Sequence, residues 1–234
     1  MLIAIDTSTS MASLALVEEG RLLGELTWHC GQDHTAQLLP SLAFLLAKVK
    51  MGIKTASGVV VARGPGSFNG LRVGIGTAKG LAYSLSIPVV GVSTLETEAY
   101  PHAETGLPIC PIQNAGRGEI ATALYRKQRG RWRRVTPEYI TTLDKLLAGI
   151  NRRTLFCGEY IPVVETAIKE KLGAKALIVP PAARLRRASF LAELGRRRIE
   201  AGDFDNLATL QPLYLRRPPI TSPRPRHTLE GSKT

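Results

Sequence analysis

This sequence predicts an α/β fold of mixed sheets flanked by helices, on three observations. The first hundred residues alternate short apolar runs with amphipathic stripes in the order β-β-β-α-β-α-β. A glycine-rich loop joins an apolar strand directly to a helix. The second half opens, like the first, with two apolar runs around a polar turn. Three meandering strands followed by strand and helix alternation is the order of a ribonuclease-H-like sheet, and the echoed start predicts a duplicated fold.

Leu2–Asp6 and Ala12–Val17 are apolar runs separated by the polar turn Asp6-Thr7-Ser8-Thr9-Ser10, and Arg21–His29 continues the meander after Glu19-Gly20. Leu38, Leu42, Leu45, Leu46 and Val49 mark a helix from His34 to about Lys50, with Asp33 placed to cap it. Gly58–Arg63 reads as an interior strand and Leu71–Leu85 as a helix, with Leu71, Ile75, Ala78, Ala82 and Leu85 on one stripe. Ile87–Val92 is the next strand. A second unit begins near Gly106: Leu107–Ile112 and Glu119–Tyr125 flank the turn Asn114–Gly118. Helices follow over Thr142–Ile150 and Ile161–Leu172, then a short strand Ala176–Val179 and a helix Phe190–Glu200. The division expected is a first lobe over 1–105, a basic second lobe over 106–216, and a proline- and arginine-rich tail over 217–234 whose lack of core residues predicts disorder.

Gly64–Gly76 is the most informative stretch. Gly74, Gly76 and Gly80 weaken the helix that follows by about 1 kcal/mol each relative to alanine. Glycine at such positions lets another backbone come close, from the same lobe or from a partner. The loop itself admits two readings: a phosphate cradle at a helix N-terminus, or a structural turn. No lysine followed by Ser or Thr opens the helix, and the glycine spacing is not a dinucleotide fingerprint, so a structural turn is the expectation.

Composition is ordinary for a globular chain: 234 residues, 44% hydrophobic and 21% charged. Its apolar runs are too short to span a bilayer, and Asp6 without a preceding basic region argues against a signal peptide, so a cytoplasmic protein with no membrane partner is expected. Cys30, Cys110 and Cys157 have neither disulfide nor zinc spacing and read as buried small hydrophobes. His29, His34, His102 and His227 form no metal pattern either. Residues 1–100 hold seven basic and seven acidic groups, so the remainder carries the entire net charge of +12. A face of that kind holds a phosphate backbone or simply keeps the surface solvated.

Leu2–Thr9, His34-Thr35 with Leu38-Leu39-Pro40, Arg63–Arg72, Val89–Leu95 and Pro212–Arg216 together resemble the TsaB (YeaZ) family. The resemblance implies a two-lobed fold of the actin, Hsp70 and sugar-kinase kind. It also implies an accessory, non-catalytic role beside TsaD, with TsaE, in building threonylcarbamoyladenosine next to the tRNA anticodon. In TsaD-like enzymes a His-x-x-x-His metal motif follows the strand equivalent to Val89–Val92; by alignment those positions are Thr94 and Glu98 here, a poor transition-metal site. No cofactor is expected. Asp6 is the candidate for a magnesium–nucleotide contact, and a turn-forming role is the stronger expectation for it. The second hairpin carries Asn114 and Gly116 where the family keeps aspartate and often arginine, and Phe156–Glu159 offers one glycine for an adenosine turn.

The family packs its two first-lobe helices against TsaD, or against a second copy as a homodimer. That places His34, Leu38, Leu42, Leu45, Arg72, Ile75, Gly76, Lys79 and Gly80 at the expected partner interface, with Arg72 and Lys79 at its rim. Arg126, Arg133 and Arg134 are the candidate tRNA contacts. The alternatives are a stand-alone ATP-binding phosphotransferase of the same fold, or an RNA-binding protein acting through charge.

Overall fold

Residues 1–216 are described by a computed structural model; the predicted tail over 217–234 lies outside the described residues. Two sheets form the molecule. The first is built from β1 (Leu2–Asp6), β2 (Met11–Glu18), β3 (Arg21–His29), β4 (Gly58–Ala62) and β5 (Val89–Val92) in the order β3-β2-β1-β4-β5. β1, β2 and β3 are antiparallel, whereas β4 and β5 run parallel to β1. The second sheet repeats this plan. β6 (Ile109–Gly116), β7 (Glu119–Thr122), β10 (Tyr139–Thr142), β11 (Thr154–Cys157) and β12 (Ala176–Ile178) stand in the order β10-β7-β6-β11-β12, with matching directions. The echo between the halves is therefore a duplication of topology.

Alternation along the strands sends side chains to two faces. On one face of the first sheet Ile3, Ile5, Val59 and Val61 meet α1 (His34–Lys48) and α2 (Phe68–Leu85) through Leu38, Leu42, Ile75 and Ala78. On the other face Ala4, Val60, Ala62 and Val90 meet α6 (Ala188–Glu200). The approach is closest at Gly195, where a Cβ would collide with Val60. In the second sheet α4 (Leu143–Ala148) and α5 (Ile161–Leu172) cover Ile112, Ile120 and Phe156. Its opposite face, with Ile109, Ala123 and the fully buried Tyr125, is covered by Leu95 and Ala99 of α3 (Thr94–Ala99).

Two helices thus cross over. α3 belongs by sequence to the first unit and packs on the second sheet, while α6 belongs to the second and packs on the first, together with Asp205 and Leu210. The cut expected at 105/106 separates stretches of sequence; it does not separate the packed bodies. Apolar periodicity identifies a helix but not the sheet that it covers.

The chain also departs locally from expectation. Glu119–Tyr125, read as one strand, ends at Thr122, and a hairpin of β8 (Tyr125–Gln128) and β9 (Arg131–Arg134) projects from it, with β10 following. Five arginines and a lysine within Tyr125–Arg134 hid these strands from a hydrophobicity pattern. α2 begins at Phe68, three residues early, because the Ser67 side chain accepts the Gly70 N–H as its cap. Asp33 does precede α1, yet its side chain makes no capping bond. Cys30, Cys110 and Cys157 are buried and unpaired.

Each glycine of the loop and of α2 has one of two environments. A Cβ at Gly66 would strike the Ser8 carbonyl and one at Gly70 the Thr7 carbonyl, because the loop lies directly on the first hairpin, with Ser67 N–H donating to Ser8 O at 2.7 Å. Gly74 would meet Thr7 Oγ1, whereas Gly76 and Gly80 face open space. Alanine at Gly76 or Gly80 is therefore expected to stabilise the isolated chain by about 0.5–1 kcal/mol each, the helix-propensity gain. Alanine at Gly70 is expected to destabilise it by about 1–3 kcal/mol through overpacking. Thermal melts of the three variants check both signs.

Candidate functional site

Between the sheets the two hairpins face each other across a cleft of about 320 Å³, lined by Ser8, Thr9, Gly66, Ser67, Gln113, Asn114, Glu159 and Tyr160. Its floor is a buried charge cluster. Arg186, 3% exposed, reaches Asp6 Oδ2 with Nε at 2.9 Å, Glu98 Oε1 with Nη1 at 3.1 Å and Thr9 Oγ1 with Nη2 at 2.8 Å. Glu159 Oε1 lies 2.9 Å from the same Nη1, and Glu159 Oε2 accepts from Thr9 Oγ1 at 2.8 Å.

The fold explains why these groups meet. Asp6 ends β1, and Glu159 follows β11 at Gly158, whose φ of +112° suits glycine. Glu98 rides on α3 and Arg186 stands just ahead of α6, so the two crossing segments deliver opposite charges to the centre of the molecule. The other Asp6 oxygen accepts from Ser8 N–H at 2.9 Å and Ser8 Oγ at 2.6 Å, the Asx turn expected of the hairpin.

Three carboxylates around one guanidinium leave the cluster short of positive charge. Burial, partly countered by Arg186 and reinforced by Glu159, raises the Glu98 carboxyl to about 7. Its Oε2 has no hydrogen-bond partner among the described residues, a situation that a neutral carboxyl tolerates better than a carboxylate. Burial alone would lower the Arg186 guanidinium, yet Asp6, Glu159 and Glu98 hold it above its ordinary value. Chemically the arrangement is a lock between lobes. Both Asp6 oxygens are engaged, and an incoming phosphate would meet the Glu159 and Glu98 carboxyls. Thr94 and Glu98 are both buried on α3; Glu98 serves Arg186, and no group of three or more His, Cys, Asp or Glu with metal-holding geometry occurs among the described residues.

The expected interface residues divide by burial. His34, Leu38, Leu42, Leu45 and Ile75 lie inside the first lobe; His34 Nε2 is hydrogen-bonded to Thr9 O at 2.8 Å, and the other four are core. They hold the helices in place and are not available for contact, because the same apolar stripe that packs on the sheet is used up by it. Arg72, Gly76 and Gly80 are exposed on α2, and Lys79 reaches Leu210 O at 3.4 Å. The same two helices expose apolar side chains that apolar periodicity did not single out: Leu39 and Phe44 on α1, each 53% exposed, and Phe68 and Tyr83 on α2, at 39% and 80%. Phe68 stacks on Tyr214, and the Arg72 guanidinium sits 4.0 Å over the Phe68 ring. The signal was present as apolar residues off the core stripe, at positions where a solvated helix carries polar ones. Arg126, Arg133 and Arg134 fall on the β8–β9 hairpin, far from this face in the sequence and attached to the second sheet.

A family model described as TsaD, tRNA N6-adenosine threonylcarbamoyltransferase, matches residues 29–218. The chain is 35% identical over 92% of its length to the tRNA threonylcarbamoyladenosine biosynthesis protein TsaB of Bacillus subtilis, covering 93% of that protein. It is 34% identical over 56% of its length to the protein of that name from Escherichia coli, covering 58% of it. Among solved structures it is similar to a Pseudomonas aeruginosa protein described as having similarity to peptidase YeaZ, with TM-score 0.78, 26% identity and coverage of 92% of this chain and 99% of that one. An ethanolamine utilization protein, EutJ of Carboxydothermus hydrogenoformans, shares the fold alone: TM-score 0.52, 11% identity, 81% of this chain and 88% of that one.

Proposed function

Because this chain belongs to the TsaB family, we propose that it is a non-catalytic subunit that binds TsaD, with TsaE as the third component, in threonylcarbamoyl transfer to tRNA. Its place in threonylcarbamoyladenosine biosynthesis follows from the family; the finer assignment is ours. One observation carries the partner reading, namely the outward face of α1 and α2. Tyr83 stands exposed on the same side of α2 as Gly76 and Gly80, whose open sides admit a second helix at close range, and Leu39 and Phe44 are exposed on α1. Apolar anchors around a small-residue strip are the makings of a helix–helix interface. In the absence of TsaD the same face is expected to pair two copies of the chain.

The Arg186 lock supports the non-catalytic half of the reading, since it engages Asp6, the one candidate for a nucleotide-bound cation, for which a turn-forming role is the stronger expectation. Among the described residues no helix is long and apolar enough to cross a membrane.

Light scattering on the chain alone and mixed with TsaD tests the proposal. Tyr83→Ala is expected to weaken the complex about tenfold or more, as loss of an exposed aromatic anchor does, and Gly80→Leu to do the same by filling the strip. Tyr83→Ala is expected to melt like the parent chain, and Gly80→Leu at or slightly above it through the helix-propensity gain. Unchanged binding by both, or ATP turnover by the isolated chain, overturns it.

A further inference from the structure

Resting on the tRNA-modification reading above, we propose that the β8–β9 hairpin and the crevice beside it form a track for the phosphodiester backbone of RNA. Two adjoining concavities define it. One, of about 780 Å³, is lined only by Arg126, Lys127, Gln128, Arg129, Arg131 and Arg133. The other, of about 720 Å³, shares Arg131 and runs between the hairpin and the carboxyl ends of β4 and β5, where Arg63, Arg134, Arg197 and Arg198 join it. Crevices at the carboxyl ends of parallel strands are where open α/β sheets place ligands. Glu96 and Asp205 also line the second concavity, and a run of arginines with one lysine that outnumbers them across the two concavities matches a polyanion better than a single phosphate.

The charges on this track are only partly neutralised. Lys127 pairs with Glu104, Arg134 with Glu138, Arg197 with Glu193, and Arg198 with Asp203 and Asp205. Arg63, Arg126, Arg129, Arg131 and Arg133 have no acidic partner among the described residues. Register sharpens the point. Arg126 stands directly across from Arg133, and Gln128 across from Arg131, so one face of the hairpin carries a like-charge pair with no acid between. Directly opposed like charges destabilise a strand pair. A departure from local rules of this kind is expected at a functional surface.

The opposite face of the hairpin is anchored. Trp132 stacks on Tyr125 with centroids 5.6 Å apart and planes 5° from parallel, meets Tyr100 edge-on, and donates its Nε1 hydrogen to Glu96 Oε1 at 3.0 Å. Trp132 lines the second concavity but is held in place by these contacts, and the free groups along the track are arginines suited to phosphate contact. Recognition is thus of the backbone and independent of sequence.

The test measures binding of an unmodified tRNA transcript to the full chain between 50 and 200 mM salt. Reversing Arg131 and Arg133 together to Glu is expected to reduce the slope of log K against log salt by about two, near 0.9 for each lost phosphate contact, and to weaken binding at least tenfold at 100 mM. Reversing the exposed pair Arg152 and Arg153 to Glu changes net charge equally and is expected to move affinity less than threefold. Should the Glu variant melt early, Arg131→Gln with Arg133→Gln replaces it, with a loss of the same sign. Equal losses from both reversals overturn the proposal. So does displacement of the tRNA by poly-glutamate as readily as by RNA, or tight ATP binding that competes with it. Light scattering of the parent chain with TsaD separates the readings: no association with TsaD, together with tRNA binding that the Arg131 and Arg133 reversal weakens, rejects the subunit reading and leaves the track standing, whereas association with TsaD and tRNA binding that the reversal leaves unchanged rejects the track alone.

Discussion

Replacing Arg186 with alanine is expected to cost the fold about 3–5 kcal/mol at pH 8, the largest effect of any single substitution considered for this chain. The guanidinium is buried among Asp6, Glu98 and Glu159, and its removal strands all three carboxyls with no cation. Stranding charges is worse than exchanging the whole cluster for apolar groups. The penalty has a pH signature: Glu98, its carboxyl raised to about 7 by burial, loses its charge by protonation over this range, so the difference from the parent chain should shrink between pH 8 and pH 5. Urea titrations at the two pH values read it directly. Arg186→Lys, which keeps the charge and loses the fork, should fall between parent and alanine variant. A pH-independent difference of less than 1 kcal/mol would mean that the cluster is not closed in solution.

Glu98→Gln is expected to act in the opposite direction. The Glu98 carboxyl is raised to about 7 by burial against an ordinary value of 4.5, so the folded chain holds a proton there that the unfolded chain releases. Stability from this group is complete below about pH 4.5 and declines as pH rises to about 7, where the charged form must be accommodated. That interval corresponds to about 3 kcal/mol at 1.36 kcal/mol per pH unit. Glutamine is neutral throughout and retains an oxygen for Arg186 and for the Glu159 N–H. The variant should therefore match the parent near pH 5 and exceed it at pH 8, flattening the profile. Parallel profiles for the two chains would place the titration elsewhere.

Both effects concern residues that looked unremarkable in the chain. Arg186 sits inside Arg184–Arg187, one of several basic clusters, and Glu98 was read only as half of a missing metal motif. Nothing local distinguishes Arg186 from Arg187, which is exposed and pairs with Glu25 at the surface. The difference arises because α3 and α6 exchange sheets and bring position 98 to position 186 across 88 residues of chain. The partner-facing helices show the same limit in milder form. Periodicity located both helices and their core stripe, and the residues on that stripe were then assigned to the interface. Packing had already claimed them, which leaves the off-stripe residues Leu39, Phe44 and Tyr83 to face outward.

By itself the sequence determined the element order of the first sheet, the echo between the halves, the Asx turn at Asp6 and the family, because hydrophobic period, turn chemistry and motif residues are written locally along the chain. Only the tertiary structure decided which sheet each crossing helix covers, which arginine is buried, which glycines of α2 face open space and that an arginine-rich stretch is a paired hairpin. Those outcomes depend on burial, and burial is a property of residues distant in sequence that meet only when the two sheets close on each other.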